Sequence, residues 1–188
     1  MKITQTQLPE VLLIQPDAFG DDRGWFLETW RRNLYEQQGI KPQFVQDNVS
    51  FSKKNILRGL HFQYPHPQGK LVQVLFGEVF DVAVDIRLGS PTFAKWSGET
   101  LSASNHKQLY IPPGFAHGFY VISDTAVFSY KCTDYYSSTS EAGIIFNDPD
   151  INIPWPIEAE PLISPKDSAY PRLKDISPEK LPQFKEEQ

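Results

Sequence analysis

Gly77-Glu78-Val79-Phe80-Asp81-Val82-Ala83-Val84-Asp85-Ile86-Arg87 is the stretch on which the fold turns. Its β-branched and aromatic residues predict a strand over 78–87. Val79, Ala83 and Ile86 are mixed with Asp81 and Asp85, so this strand turns polar groups toward something specific. Carboxylates in an apolar strand need partners, because burying one alone is costly.

Outward from this strand the pattern repeats. Sixteen Pro and eleven Gly cut the chain into short segments, and strands are expected at 11–15, 25–30, 43–50, 56–62, 70–76, 96–101, 108–111, 116–121 and 126–133. Only 31–38 reads as a helix, with Leu34 as its apolar anchor. This spacing predicts an all-β chain, a sandwich or a jelly-roll barrel with short peripheral helices. The composition shifts near Pro149. Trp155, Leu162 and Ile163 are apolar enough to pack back on the barrel, carrying Lys166 and Asp167 with them, whereas 174–188 reads as a polar tail or surface helix.

The 188 residues are expected to form one domain, and 13 Phe, 8 Tyr and 4 Trp argue against a disordered chain. No apolar run approaches the roughly 20 residues of a membrane helix, and no secretory signal is visible. One cysteine, Cys132, leaves neither an intramolecular disulfide nor a multi-Cys metal site. A soluble, cytoplasmic protein is the expectation. Eighteen basic against 23 acidic residues give a formal charge of −5, which disfavours nucleic acid as a partner but not a small anionic ligand.

Of four histidines, His66 (between two prolines) and His106 (in a polar loop) read as surface residues. His61 and His117 lie in or beside apolar strands, within Arg58-Gly59-Leu60-His61-Phe62-Gln63 and Pro112-Pro113-Gly114-Phe115-Ala116-His117. Either alone could be a hydrogen-bonded core residue. Together with Arg58, Gln63, Lys70, Asp81 and Tyr130, all on expected strands, they are more polar groups than a stable core collects.

These two motifs and the jelly-roll punctuation resemble the cupin superfamily. A metal-binding cupin pairs two histidines and a glutamate at the first motif; here Gln63 and Lys70 stand in the second and third positions, so no metal is expected. The resemblance is closer to the dTDP-4-dehydrorhamnose 3,5-epimerase family. It is carried by Phe19-Gly20-Asp21-Asp22-Arg23-Gly24, Phe44-Val45-Gln46-Asp47-Asn48, Leu57-Arg58-Gly59-Leu60-His61-Phe62-Gln63, the stretch 77–87, Ile111-Pro112-Pro113-Gly114-Phe115-Ala116-His117-Gly118-Phe119, Tyr130-Lys131 and Ser164-Pro165-Lys166-Asp167.

That resemblance implies a cupin-type barrel acting on a dTDP-linked 4-keto-6-deoxyhexose without a cofactor. Carbons 3 and 5 both flank the C4 ketone, so the chemistry needs a base, a cation at O4 and an acid on the opposite ring face. It assigns His61 as base, Asp167 as its partner, Lys70 to the O4 charge and Tyr130 as proton donor. Asp81 is expected to hold Lys70, across a hairpin closed near Phe76-Gly77. Arg23, Arg58 and Lys166 are implied at the phosphates, Phe26 and Tyr136 at thymine, and Glu28, Gln46, Asn48, Gln63, His117 and Glu141 elsewhere on the substrate. A homodimer with exchanged N-terminal strands is implied too, with 11–15 and 25–30 supplying the pairing edge, so that Arg23 and Glu28 reach the neighbour's ligand. By residue type alone Asp167 is a solvated turn residue, Lys70 a rim lysine and Tyr130 a core aromatic. Inversion of one carbon alone, a non-catalytic sugar-nucleotide binder and a metal-dependent cupin are the competing readings.

Overall fold

The computed structural model describes residues 1–185. Thirteen strands and two short helices follow in chain order: β1 Lys2–Gln5, β2 Leu12–Gln15, β3 Ala18–Asp21, β4 Gly24–Leu27, α1 Arg32–Gln37, β5 Gln46–Lys53, β6 Leu57–Gln63, β7 Lys70–Phe76, β8 Glu78–Asp85, β9 Trp96–Ser102, β10 Gln108–Ile111, β11 Phe115–Val121, β12 Thr125–Cys132, β13 Glu141–Gly143 and α2 Pro165–Ser168. Two antiparallel sheets face each other, one ordered β1-β2-β10-β7-β12-β5 and the other β13-β6-β11-β8-β9; β3 and β4 form a separate hairpin. The all-β expectation holds. Absent from the sequence reading are β1, β3 and β13, segments of only three or four residues; β1 and β3 pair with the next strand in the chain, and β13 with the distant β6.

Side chains of period two explain the layering. On β8, Val79 and Ala83 enter the core between the sheets, while Val82 and Val84 turn outward into a second cluster with Leu173, Leu181 and Trp155. Both faces of β8 are therefore dry, and the C-terminal segment supplies the outer cover. The expected tail or surface helix is corrected on this point: over its described part, two 3₁₀ turns (Leu173–Asp175 and Pro178–Lys180) dock the chain, and Leu181 is 2% exposed. Residues 186–188 lie outside the described residues. Leu162 docks through its backbone, which bridges Ile56, while its side chain stays exposed.

A second correction concerns Phe76-Gly77. It closes no hairpin, because β7 pairs with β10 and β12 whereas β8 pairs with β11 and β9. Gly77, at φ 79°, carries the chain from one sheet to the other, where a Cβ would lie 2.1 Å from the Thr125 carbonyl oxygen. Lys70 and Asp81 thus stand on opposite walls. A third is the expected pairing edge at 11–15: β2 is bonded on both sides, to β1 and β10 of its own chain. The same alternation fills the interior unevenly. Val72 and Val74 of β7 and Phe128 of β12 pack in the core, and continuing along those faces leads to Lys70, Tyr130 and Cys132 at one end. No described helix is long and apolar enough to cross a membrane.

Candidate active site

His61 is aimed by an irregularity. On β6 it lies opposite His117 of β11, but Arg58 lies opposite Phe119, a one-residue slip that marks a bulge at Gly59-Leu60. Regular alternation would set Arg58 and His61 on opposite faces; the slip puts both on the face shared by 117 and 119. Gly59 is required there. Its φ is 118°, and a Cβ would lie 2.6 Å from the Gly118 Cα. The bulge also frees the Gly59 N–H, which donates to Asp167 Oδ2 at 3.1 Å.

Asp167 sits in the first turn of α2, where Ser164 caps the helix by accepting the Asp167 N–H at 3.0 Å. Far from being a solvated turn residue, it is 4% exposed, and its Oδ1 lies 2.8 Å from His61 Nε2. Burial pushes this carboxyl up, but the hydrogen bond and charge of His61, the Gly59 N–H and Ser164 together hold it below the usual range. A carboxylate at Nε2 places the neutral ring's proton there and leaves the lone pair on Nδ1. Tyr170 packs its ring edge-on to His61 at 5.9 Å.

A cavity of about 270 Å³ opens beside this pair, lined by His61, Lys70, Tyr130, Gln46, Asn48 and Glu141 among others. His61 comes from one sheet, Tyr130 and Lys70 from the other, so imidazole and phenol occupy facing walls. Burial pushes the Tyr130 phenol up, which keeps its proton at neutral pH. Burial pushes the Lys70 ammonium down, partly opposed by Cys132, Asp81 and Glu141.

The wall near the mouth is tied together: Tyr136 OH donates to Glu141 at 2.8 Å, and Lys166 pairs with the same carboxylate. Burial raises the Glu141 carboxyl, but Lys166 and Tyr136 hold it low. Gln46 accepts the Tyr136 N–H at 2.9 Å and donates to Asn48. A second hollow, sharing His61 and Glu141, is lined by Arg58, Lys166 and Asp167, a vestibule in which two cations stand beside two carboxylates. Gln63 lines the cavity but commits its amide to His66, Tyr135 and Ser137 backbone groups, so it shapes the wall.

Two expected placements differ in this chain. His117 does not line the cavity; it is 6% exposed and bonded to Asp81 at 2.9 Å. Asp81 therefore does not hold Lys70 directly, since His117 stands between them, its Nδ1 3.5 Å from Lys70 Nζ. Three more residues lie elsewhere in this chain. Arg23 pairs with Asp21 on the hairpin, Phe26 is 68% exposed and Glu28 pairs with Arg31 at 3.2 Å; none lines the cavity. Of the other histidines, His66 is exposed and His106 packs against Trp25.

Sequence reasoning missed the Gly59 amide, Tyr170 and Cys132. Only Cys132 carried a usable signal, two residues beyond Tyr130 on one strand face; it is buried, opposite Lys70 in register, with Asn48 Nδ2 3.7 Å from its Sγ. Among the described residues no group of three or more His, Cys, Asp or Glu is placed to hold a metal ion.

This geometry has close counterparts. A family model described as dTDP-4-dehydrorhamnose 3,5-epimerase matches residues 5–175. A Neisseria gonorrhoeae protein of that name is 56% identical over 169 residues, covering 90% of this chain and 52% of its own, so the chain spans about half of that relative. A Shigella flexneri protein of the same name is 54% identical over 169 residues, covering 89% of this chain and 93% of its own. The crystal structure of Legionella pneumophila dTDP-6-deoxy-D-glucose-3,5-epimerase in complex with dTDP-4-keto-L-rhamnose matches with a TM-score of 0.96 at 53% identity, covering 98% of each chain. On the extent of these matches, the chain belongs to the dTDP-4-dehydrorhamnose 3,5-epimerase family.

Proposed function

We propose that the chain inverts C3 and C5 of dTDP-4-dehydro-6-deoxy-D-glucose to give dTDP-4-dehydro-L-rhamnose, with His61 as base and Tyr130 as acid. The carrying observation is that the His61–Asp167 pair and the Tyr130 phenol stand on facing sheets across one cavity. His61 Nδ1 removes the proton next to the ketone, and Asp167 stabilises the imidazolium that results. The C–H electron pair becomes an enolate with its charge on O4, which the Lys70 ammonium stabilises. Tyr130 then protonates the carbon from the other face. The proton gained by His61 passes to solvent and Tyr130 regains one, so the site is reset for the second carbon. No electrons leave the substrate, so the step itself calls for no redox partner.

Arg58 and Lys166 in the vestibule suit the diphosphate, the planar guanidinium especially. Tyr136 at the mouth suits the thymine ring, with Gln46, Asn48 and Glu141 as polar contacts. A homodimer belongs to the same reading. Polar residues of β5 such as Ser52 turn inward, while Val49 and Phe51 are 67% and 59% exposed beside Phe76 at 61%, an apolar face of the kind a partner covers. The hairpin of β3 and β4, with Phe19, Trp25 and Phe26 exposed, is the element we assign to exchange, carrying Arg23, Phe26 and Glu28 to the neighbour's ligand. A cytoplasmic location fits a substrate carried on a nucleotide.

Incubating the protein with the keto-sugar in heavy water, with product NMR, tests the assignment. Deuterium is expected at both C3 and C5 in an inverted product; label at one carbon alone supports a single-carbon epimerase, and none at either overturns the reading. Tyr130→Phe is expected to keep exchange while losing inversion. Equal loss of both removes Tyr130 from the acid role.

A further inference from the structure

The mouth of the cavity is edged by the segment 134–137, whose backbone groups are taken up one after another by glutamine side chains. Gln68 Nε2 donates to the Asp134 carbonyl at 2.8 Å and Gln63 Nε2 to the Tyr135 carbonyl at 3.2 Å. The Tyr136 N–H donates to Gln46 Oε1 at 2.9 Å and the Ser137 N–H to Gln63 Oε1 at 2.8 Å. A surface loop ordinarily satisfies such groups with water. Here they are held by side chains from β5, from the end of β6 and from the residues just before β7. Gln63 holds both neighbours of Tyr136, and its remaining amide proton goes to the His66 carbonyl at 3.0 Å. It is itself buried, so the clasp acts from within the wall.

Tyr136 is what this clasp surrounds. It is exposed and lines the cavity, and its hydroxyl donates to Glu141 at 2.8 Å. An exposed aromatic on a loop samples several rotamers and loses that freedom when a ligand stacks on it. Tyr136 has both ends tied beforehand, the backbone by glutamines and the hydroxyl by a carboxylate, which leaves the exposed ring to a planar partner. Gln63 lies two residues beyond His61 on the same face of β6. Both of its amide protons are spent on backbone carbonyls, so donation to substrate does not explain it.

We infer that Gln63 is a positioning residue for nucleotide recognition: by clasping the backbone on both sides of Tyr136, it presets that ring for the planar base of the substrate. This rests on the assignment of Tyr136 to thymine. Gln63 touches neither base nor sugar in this role, and its effect on binding runs through Tyr136.

A double-mutant cycle separates this role from direct contact and from general support of the fold. Gln63→Met keeps the length of the side chain and removes its hydrogen bonds to His66, Tyr135 and Ser137. It is expected to weaken dTDP binding, measured by calorimetry, roughly 2–10-fold, the range for ordering one side chain, with KM moving more than kcat. Tyr136→Ala is expected to cost about 5–150-fold, the range for a base-stacking aromatic. In the Tyr136→Ala background Gln63→Met should then have no further effect on dTDP, because the ring it presets is gone. Losses that multiply in the double variant would mean that Gln63 acts without Tyr136, and they overturn the inference. Should the variants fold poorly, amide hydrogen exchange in the wild type decides. The Tyr136 and Ser137 amides are protected if the glutamines hold them, and exchange at the rate of an open loop refutes the clasp. If Tyr136→Ala binds dTDP as tightly as the wild type, it is the thymine assignment that fails, and the inference falls with it. If Tyr136→Ala weakens dTDP binding and Gln63→Met does not, the assignment stands and the clasp alone is refuted.

Discussion

Two histidine–aspartate pairs lie back to back in this barrel, and they are built almost alike. His61 and His117 are directly opposite each other on neighbouring strands, and each offers Nε2 to an aspartate, at 2.8 and 2.9 Å. The difference is access. The His61 side chain is 31% exposed and lines the cavity, whereas that of His117 is 7% exposed and faces a lysine. In the proposed mechanism the exposed pair serves as a base because it opens on the cavity, while the buried pair acts as a brace, its free nitrogen facing Lys70. Hydrogen-bond geometry alone does not tell a catalytic pair from a supporting one; what the second ring nitrogen faces does.

The comparison is broken most forcefully by deleting the exposed pair. His61→Ala is expected to lower solvent exchange at both C3 and C5 by about 10²–10⁴-fold, the range for removing a general base, with dTDP binding retained. His117→Gln should fall well short of that loss. If the two variants lose exchange equally, the division into base and brace is wrong.

A smaller effect is expected at the bulge that separates the two pairs. Gly59→Ala places a Cβ against the Gly118 backbone at a φ of 118°, so relief requires the strands to part or the φ to change, at roughly 1–3 kcal/mol or more. Because the same residue donates to Asp167, exchange should fall further than stability explains. Urea unfolding and label wash-in, measured on one preparation, separate the two. A variant as stable and as active as wild type would remove the bulge from any role in aiming His61.

How far all this was legible in the sequence follows from the range of each interaction. The Asp81 strand, the alternation that brings Tyr130 inward and the histidine motifs are local, and the chain states them openly. Asp167 is joined to His61 across 106 positions, and without the family resemblance nothing near it distinguishes it from a capped turn in a proline-rich segment. The turn at Gly77 reads as a hairpin because its flanking strands are adjacent in sequence; that they part to separate sheets is decided by β10, β11 and β12, forty or so residues on. On β5 the polar residues face in and Val49 and Phe51 face out, so the usual inside–outside inference runs backwards there. For His117 a motif gives residue identity, but the face its ring presents depends on what has packed over it, here Asp81 and Lys70.

The last and smallest effect concerns acid stability, to which His117 and Asp167 contribute in different pH windows. Burial holds His117 below its ordinary value of 6.5, so between that value and its folded one the unfolded chain binds a proton that the folded chain does not. Stability from neutral His117 is therefore present above about pH 6.5 and lost as pH falls toward the folded value, at up to about 1.4 kcal/mol per pH unit. Asp167 is also held low in the folded state, but its unfolded value is near 3.8, so its contribution is lost only at lower pH. Urea midpoints measured from pH 7 to 5 should decline in the wild type and decline less in His117→Gln, whose amide does not titrate. An identical slope in both would mean that folding does not displace the His117 titration, and a wild type that declines less than His117→Gln would mean that the folded ring holds a second proton.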